Sequence, residues 1–344
     1  ITSGAANTVI GYESGKALTT GGSNISLGYQ AHLALVSGDN NVAIGVNAAD
    51  AMAVGESENI AIGTSALGGM DEGTAGGDID GNIAIGHAAL VGGDLAGNDR
   101  QVQDNIAIGR NSLNSTSDNA QTGTIAIGKD ALTALTSGAG NTAIGYLAMA
   151  TSTVNHSNVA IGYAAMRYSN GSESQNVAIG YEAGTSMDNN DSSKSILIGY
   201  RAGKGGTGEI DRCVVIGDGA MDGTGAVGAQ QNIFIGNDAG GGTWTTAASN
   251  SNVAIGATAM SAALNGALGN TAIGHDGLKA VTTGDYNTTL GRGAGTSITT
   301  TSYTVAIGNY SLSAITSTGD YTISIGHGAM GGAEIGDGNI AIGY

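Results

Sequence analysis

Proline is absent from this chain, cysteine occurs once, and Phe and Trp occur once each. The lone Cys213 rules out an intrachain disulfide framework and reads as a small buried residue rather than a nucleophile. Aromatics make up 4% of the residues, too few for a core built around large rings. Basic residues are also few: 11 Lys and Arg stand against 28 Asp and Glu, for a formal net charge of −17. Such a chain repels phosphate backbones and anionic membranes, so no nucleic acid partner is expected, and the acidity reads first as a solvated surface. No apolar run approaches the ~18 residues of a membrane-spanning helix, so no membrane insertion is expected. The 62 glycines come without proline and without a Gly-X-Y period, which excludes collagen. A hydrophobic fraction of 41% argues against plain disorder.

What the chain does have is a repeat. The motif Asn-(Ile/Val/Thr)-Ala-Ile-Gly occurs as Asn41-Val-Ala-Ile-Gly45, Asn59-Ile-Ala-Ile-Gly63, Asn158-Val-Ala-Ile-Gly162 and Asn339-Ile-Ala-Ile-Gly343. Counting looser versions there are 19 copies, closing on glycines from Gly11 to Gly343 at a mean spacing of roughly 18 residues. The array covers residues 1–344 as a single unit with no second domain, and its longest repeats place extended loops at 64–108. It starts and stops mid-pattern, without caps and without an initiator Met, and so reads as part of something longer.

Each motif position carries its own physics. The residue before Gly is Ile in 17 copies and Leu in two, and the residue three before Gly is always Ile, Val or Thr. These two positions share one face of a strand, where β-branched side chains suit a pleated surface. The residue between them is Ala in 12 copies, enlarged at Leu197, Val215 and Phe234. Asn leads 14 copies, and stacked Asn side chains can form a hydrogen-bonded ladder; the alternative is that Asn merely closes the preceding turn. After the Gly, Ala recurs three residues on (Ala31, Ala48, Ala66, Ala89, Ala131, Ala148, Ala165), then Leu, Met or Gly, as a short second strand or an inward corner.

A five-residue strand cannot bury its own apolar face, so the repeats must stack. The expected fold is all-β: a parallel β-solenoid or β-roll of about 19 rungs, elongated, its turns spaced about 4.8 Å apart. No charged residue falls within the motif in any copy, which implies strands covered on both faces. The expectation is that Ile fills the chain's own core and that another copy covers the Ala face, giving a homotrimer around the long axis. The competing arrangement is a monomeric roll whose second strand covers the alanines.

Asn141-Thr-Ala-Ile-Gly-Tyr-Leu-Ala148 and Asn176-Val-Ala-Ile-Gly-Tyr-Glu-Ala183 resemble the Asn-Thr-Ala-Ile-Gly-Tyr-x-Ala repeat of tail-fibre-like phage proteins. The motif is also similar to the head repeat of trimeric autotransporter adhesins, a β-roll, although the spacing here is longer. The resemblance runs over essentially the whole chain. It implies a trimeric, structural or adhesive protein.

Motifs that would carry chemistry are sparse. Gly203-Lys-Gly-Gly-Thr-Gly208 fits a dinucleotide-loop pattern, but the next repeat begins at Cys213, leaving no room for the helix that such a loop opens. Among the histidines, His87, His275 and His327 follow motif glycines on distant repeats, and His32 and His156 lie elsewhere, so no metal set converges within one chain. Tyr follows the Gly seven times, including Tyr12, Tyr146, Tyr163 and Tyr200; such a row packs at the rung edge or binds glycans by stacking. An acidic stretch (Asp71, Glu72, Asp78, Asp80, Asp94, Asp99, Asp104) makes Asp78 and Asp80 weak candidates for calcium, with a solvated loop as the default. The expectation is therefore no enzyme, no cofactor and no resident metal. The structural residues would be Asn41, Ile44, Gly45, Asn59, Ile62, Gly63, Asn141, Ile144, Gly145, Asn158, Ile161, Gly162, Asn339, Ile342 and Gly343. The functional expectation is a shaft or adhesive fibre segment of a phage or virion appendage, with self as partner and a host surface glycan or protein at its loops or tip. The alternative is a bacterial cell-surface adhesin or extracellular filament.

Overall fold

The computed structural model describes residues 3–70, 78–93, 101–116, 120–187, 192–314, 320–332 and 336–344. Cα packing divides the chain into two units, Ile1–Ser172 and Glu173–Tyr344. Each is a parallel β-solenoid, and the described residues contain no α-helix.

In the first unit, nine three-residue strands lie side by side, from Thr8–Ile10 to Val159–Ile161, each formed by the centre of one motif. In the second, ten do the same, from Val177–Ile179 to Ile340–Ile342. Neighbouring strands pair in parallel with like opposite like: Val42, Ala43 and Ile44 face Ile60, Ala61 and Ile62. The backbone bonds alternate between the two neighbours. Val42 donates from its N–H to the Asn59 carbonyl of the following turn, and Gly45 donates to the Leu27 carbonyl of the preceding one, at 2.8 and 2.9 Å.

The faces are the reverse of the expected ones. From Ser26 to Ser324, the middle residue of every strand is buried, with Ala43, Ala61, Ala84 and Ala107 at 0% exposure. The Ile and Val on either side point outward and stay partly exposed, reaching 39% at Ile196 and 49% at Leu290. The reason is room. The chain's own opposite wall covers the alanines with Leu and Met four residues after the motif Gly, including Leu67, Leu90, Leu132, Met149 and Met166, all fully buried. The interior is thus a single layer that two rows of Ile would overfill.

That opposite wall is an inward corner, not a strand. Leu67, Leu90, Leu132 and Met149 have φ of 51°, 50°, 49° and 49°. A left-handed backbone costs a branched residue roughly 1–2 kcal/mol. Burying a Leu or Met side chain returns roughly 1.5–3 kcal/mol, so the conformation holds. The wall also compensates for volume. Where Leu197 and Phe234 replace the strand alanine, the facing residues are Gly203 and Gly240; a Cβ on either would meet the Leu197 or Phe234 side chain at 2.6 and 2.9 Å. The Phe234 ring then packs edge-on against buried Trp244, centroids 6.0 Å apart.

The motif asparagines form the ladder. Asn41 donates from its backbone N–H and from Nδ2 to Asn24 Oδ1, at 2.9 and 3.1 Å, and its Nδ2 also donates to the Glu56 carbonyl at 2.7 Å. Asn59, Asn82 and Asn105 repeat the arrangement, as do Asn252, Asn270 and Asn287 in the second unit. The amide uses both its hydrogens and both its lone pairs, which is why Asn can be buried there at no unpaired cost. Ser195 and Cys213 keep part of the pattern: Ser195 Oγ donates to the Ile210 carbonyl at 3.2 Å and accepts from the Cys213 N–H at 3.1 Å.

The motif glycine is fixed by stacking as well as by conformation. Gly86 has φ of 132°, and a Cβ there would sit 2.6 Å from the Gly109 carbonyl oxygen of the following turn. Gly328 has φ of 62° with nothing within 4 Å of such a Cβ. Gly86→Ala is therefore expected to destabilise the chain by roughly 3 kcal/mol or more, and Gly328→Ala by roughly 1 kcal/mol, in denaturant unfolding. Equal costs would contradict the stacking argument. Asn270→Ala leaves the Gly284 carbonyl and the Asn287 N–H without their partner, at 2.7 and 2.9 Å. It should cost roughly 2–4 kcal/mol in the same measurement, and Asn270→Ser less, since a hydroxyl can do at position 270 what it does at Ser195.

Candidate functional surface

Three surfaces are available for function: the outward strand face, the rows of aromatic side chains, and the acidic corners. The first is the most continuous. In the first unit it runs from Thr8 and Ile10 through Ile44, Ile62, Ile144 and Ile161 without a charged side chain. The second unit repeats it from Val177 to Ile342, with Ile340 and Ile342 at 68% and 73% exposure. With three residues per strand, each strip is about 10 Å wide, and nine turns make it about 40 Å long. Apolar patches of that size are often functional on protein surfaces.

The sequence-derived structural residues fall into separate roles on this frame. Asn41, Asn59, Asn141 and Asn158 are buried in the ladder, and Asn339 is half-buried. Ile44, Ile62, Ile144, Ile161 and Ile342 line the outer strip. Gly45, Gly63 and Gly145 each lie against the motif glycine of the following turn, which for Gly145 is Gly162, and Gly343 has no such neighbour among the described residues.

The aromatic rows sit beside the strip. Tyr12 and Tyr29, one residue after their motif glycines, stack at 5.4 Å and 12°; Tyr181 and Tyr200 do so at 5.2 Å and 13°. Tyr146 and Tyr163 tilt by 39° at 5.6 Å, with the Lys129 ammonium 5.2 Å from the Tyr146 ring. A second row, missed in the sequence, stands one residue before the motif's leading position, which is Asn287, Thr304 and Thr322 in turn: Tyr286, Tyr303 and Tyr321. Its signal was present as the same residue type at the same motif offset in three successive copies.

The acidic candidates are structural. Asp78–Asp80 is a strand, paired in parallel with Gln101–Gln103, which pairs in turn with Gln121–Thr122. This small second sheet occupies part of what the sequence reads as loop. Ile79 and Val102 fill its inner face, and Asp78 accepts from Gln103 Nε2 at 3.3 Å. Asp80 Oδ1 accepts from the Ser57 N–H at 2.6 Å. The same position two before the motif Asn is used again by Asp39 on Gly22, Asp285 on Leu268 and Asp320 on Ser302. These carboxylates cap backbone donors of the preceding turn. Burial raises the Asp80 carboxyl above its ordinary value, the Ser57 bond opposes this, and Asp78, Glu58 and Asp104 push it further up. Among the described residues no three His, Cys, Asp or Glu side chains are grouped to hold a metal. Asp71, Glu72, Asp94 and Asp99 lie outside the described residues.

The remaining candidates are dispersed. Gly206 and Gly208 of the Gly203–Gly208 stretch lie against the Gly225 and Val227 carbonyls, so the next turn occupies the space a phosphate would need. The Cys213 thiol is buried, pushed up to about 11 by desolvation, and directed at the Ala229 carbonyl 3.3 Å away. His275 pairs with Asp276 at 2.7 Å, and His327 stacks on Tyr344 at 5.3 Å. His32 is the exception, a histidine inside the core. Its Nδ1 lies 2.7 Å from Ser26 Oγ, and both residues are fully buried. No known family model matches the chain, and no curated protein matches it.

Burial lowers His32 from 6.5 to about 4. The unfolded chain therefore takes up the proton first as pH falls. Stability is unaffected above about pH 6.5, is lost as pH falls from there to about 4, and changes no further below. The full loss is of the order of 3 kcal/mol. His32→Gln should remove this component of the difference in unfolding free energy between pH 7.5 and pH 4.5; an unchanged pH dependence would contradict the assignment.

Proposed function

We propose that the chain is a shaft segment of a fibrous appendage of a virion, self-assembled as a homotrimer around its long axis, which holds a tip or loops towards a host surface. In this reading one turn corresponds to each of the 19 motif copies. The observation that carries it is the uncharged Ile/Val strip on an otherwise acidic chain. A second copy is the partner best suited to cover it, because only an array with the same turn spacing keeps its ridges in step with these grooves over many turns. The trimer is thus built on the Ile/Val face, and the alanines stay inside each chain. The work is mechanical: stacked turns resist bending, and corners face outward for contact.

Sedimentation of the chain should give three times the 33.5 kDa monomer mass, and micrographs should show thin rods. Ile144→Lys combined with Ile161→Lys would bury two unpaired charges per chain, each costing roughly 3 kcal/mol or more, and should release monomers. A stable wild-type monomer, or a doubly substituted trimer, would overturn the arrangement.

A further inference from the structure

Tyr286, Tyr303 and Tyr321 form a three-ring ladder. Their centroids are 5.4 and 5.1 Å apart, with interplanar angles of 20° and 5°. Each ring belongs to a different turn, and each backbone is left-handed, with φ of 54°, 59° and 60°. The turns beneath them are held together: Tyr303 donates from its N–H to the Asp285 carbonyl at 2.9 Å, and Tyr321 to the Ser302 carbonyl at 3.3 Å. The first ring leans over Gly269, where a Cβ would come within 2.8 Å of Tyr286 Cδ1. The rings are nevertheless open to solvent, at 47%, 48% and 62% exposure. Tyr12 with Tyr29 and Tyr181 with Tyr200 share the ring stacking, though not the left-handed backbone. The three phenols are held face to face on consecutive turns, with their edges left open to solvent.

We infer that these stacked tyrosines are sites of oxidative tyrosine–tyrosine coupling, which joins neighbouring turns by a covalent carbon–carbon bond. The oxidant is a peroxide acting through a haem peroxidase. Each phenol gives up one electron and its hydroxyl proton to become a phenoxyl radical. Two radicals join through the ring carbons next to the hydroxyls, and the hydrogens on those carbons shift to the oxygens, restoring both phenols. In balance, two ring C–H bonds are lost and one C–C bond forms. Two electrons and two protons leave, and hydrogen peroxide takes them up as two waters. The stack supplies what this chemistry needs. Adjacent radicals are held within a ring's width, so coupling inside the chain outruns encounter between chains. Exposure lets the oxidant reach the phenol edges. A chain with one buried cysteine has no intrachain disulfide to serve as a tie. The coupling does not depend on trimer formation.

The test treats the full chain at low concentration with a haem peroxidase and hydrogen peroxide, using a mixture of light and heavy isotope-labelled protein, followed by digestion and mass spectrometry. Linked peptides two hydrogens lighter than their sum are expected at Tyr286–Tyr303, Tyr303–Tyr321, Tyr12–Tyr29 and Tyr181–Tyr200, without mixing of light and heavy. Tyr310 is 40% exposed and has the Arg292 guanidinium, 5.6 Å away, against its ring, so it should stay unlinked. Tyr303→Phe keeps the stack but lacks the hydroxyl; it should abolish both links through position 303 and leave Tyr12–Tyr29 intact. In urea the links should scatter over all tyrosines, Tyr310 included. Coupling at Tyr310 as frequent as in the ladders, light–heavy links predominating, or the same pattern folded and unfolded would overturn the proposal.

Discussion

Each turn in these units lies on the next in register, so every position must tolerate a copy of itself about 4.8 Å away. That one constraint selects the residues. Glycine meets glycine where the backbones approach closest, because a Cβ on one would strike the carbonyl of the other. Alanine meets alanine where the interior is narrow. Asparagine meets asparagine because its amide is donor and acceptor at once and completes itself when stacked. Carboxylates appear at the corners, where each caps a backbone donor of the preceding turn: Asp39, Ser57 and Asp80 follow one another, as do Asp285, Ser302, Asp320 and Asp337.

Much of this was legible in the sequence. Period, strand position, parallel in-register stacking and the asparagine ladder all follow from a motif whose residues recur at fixed offsets. The direction of the faces was not. Period-2 alternation says which residues share a side, but not which side is inside. Bulk favoured Ile for the core, and the decisive fact lies elsewhere in the turn: Leu67, Leu132 and Met149 reach across from a left-handed wall that the sequence did not reveal as such. The small sheet at Asp78–Asp80 was hidden for a related reason. Its acidic residues read as loop, while one buried Ile79 between them is too short a pattern to announce a strand.

The outer surface was legible in part. The tyrosines after the motif glycine stand out by position, and the structure adds that they stack across turns. The row of Tyr286, Tyr303 and Tyr321 lies in the variable stretch between motifs, where neighbouring residues differ from copy to copy and conceal the alignment. The uncharged motif was read as a strand covered on both faces; within the chain only the alanine side is covered, and the isoleucines and valines stay partly exposed.

The asparagine ladder also has a direction. Among the described residues, in each of these links where amide meets amide, the later turn gives its Nδ2 hydrogen to the oxygen of the earlier one. The side-chain dipoles along a run such as Asn24 to Asn105 therefore point the same way and add, as peptide dipoles do along a helix. A run of this kind has unlike poles: a free acceptor is wanted at one end and a free donor at the other. Turns can join it only head to tail, so the same bonds that hold the stack together also give it a polarity that chain reversal would break.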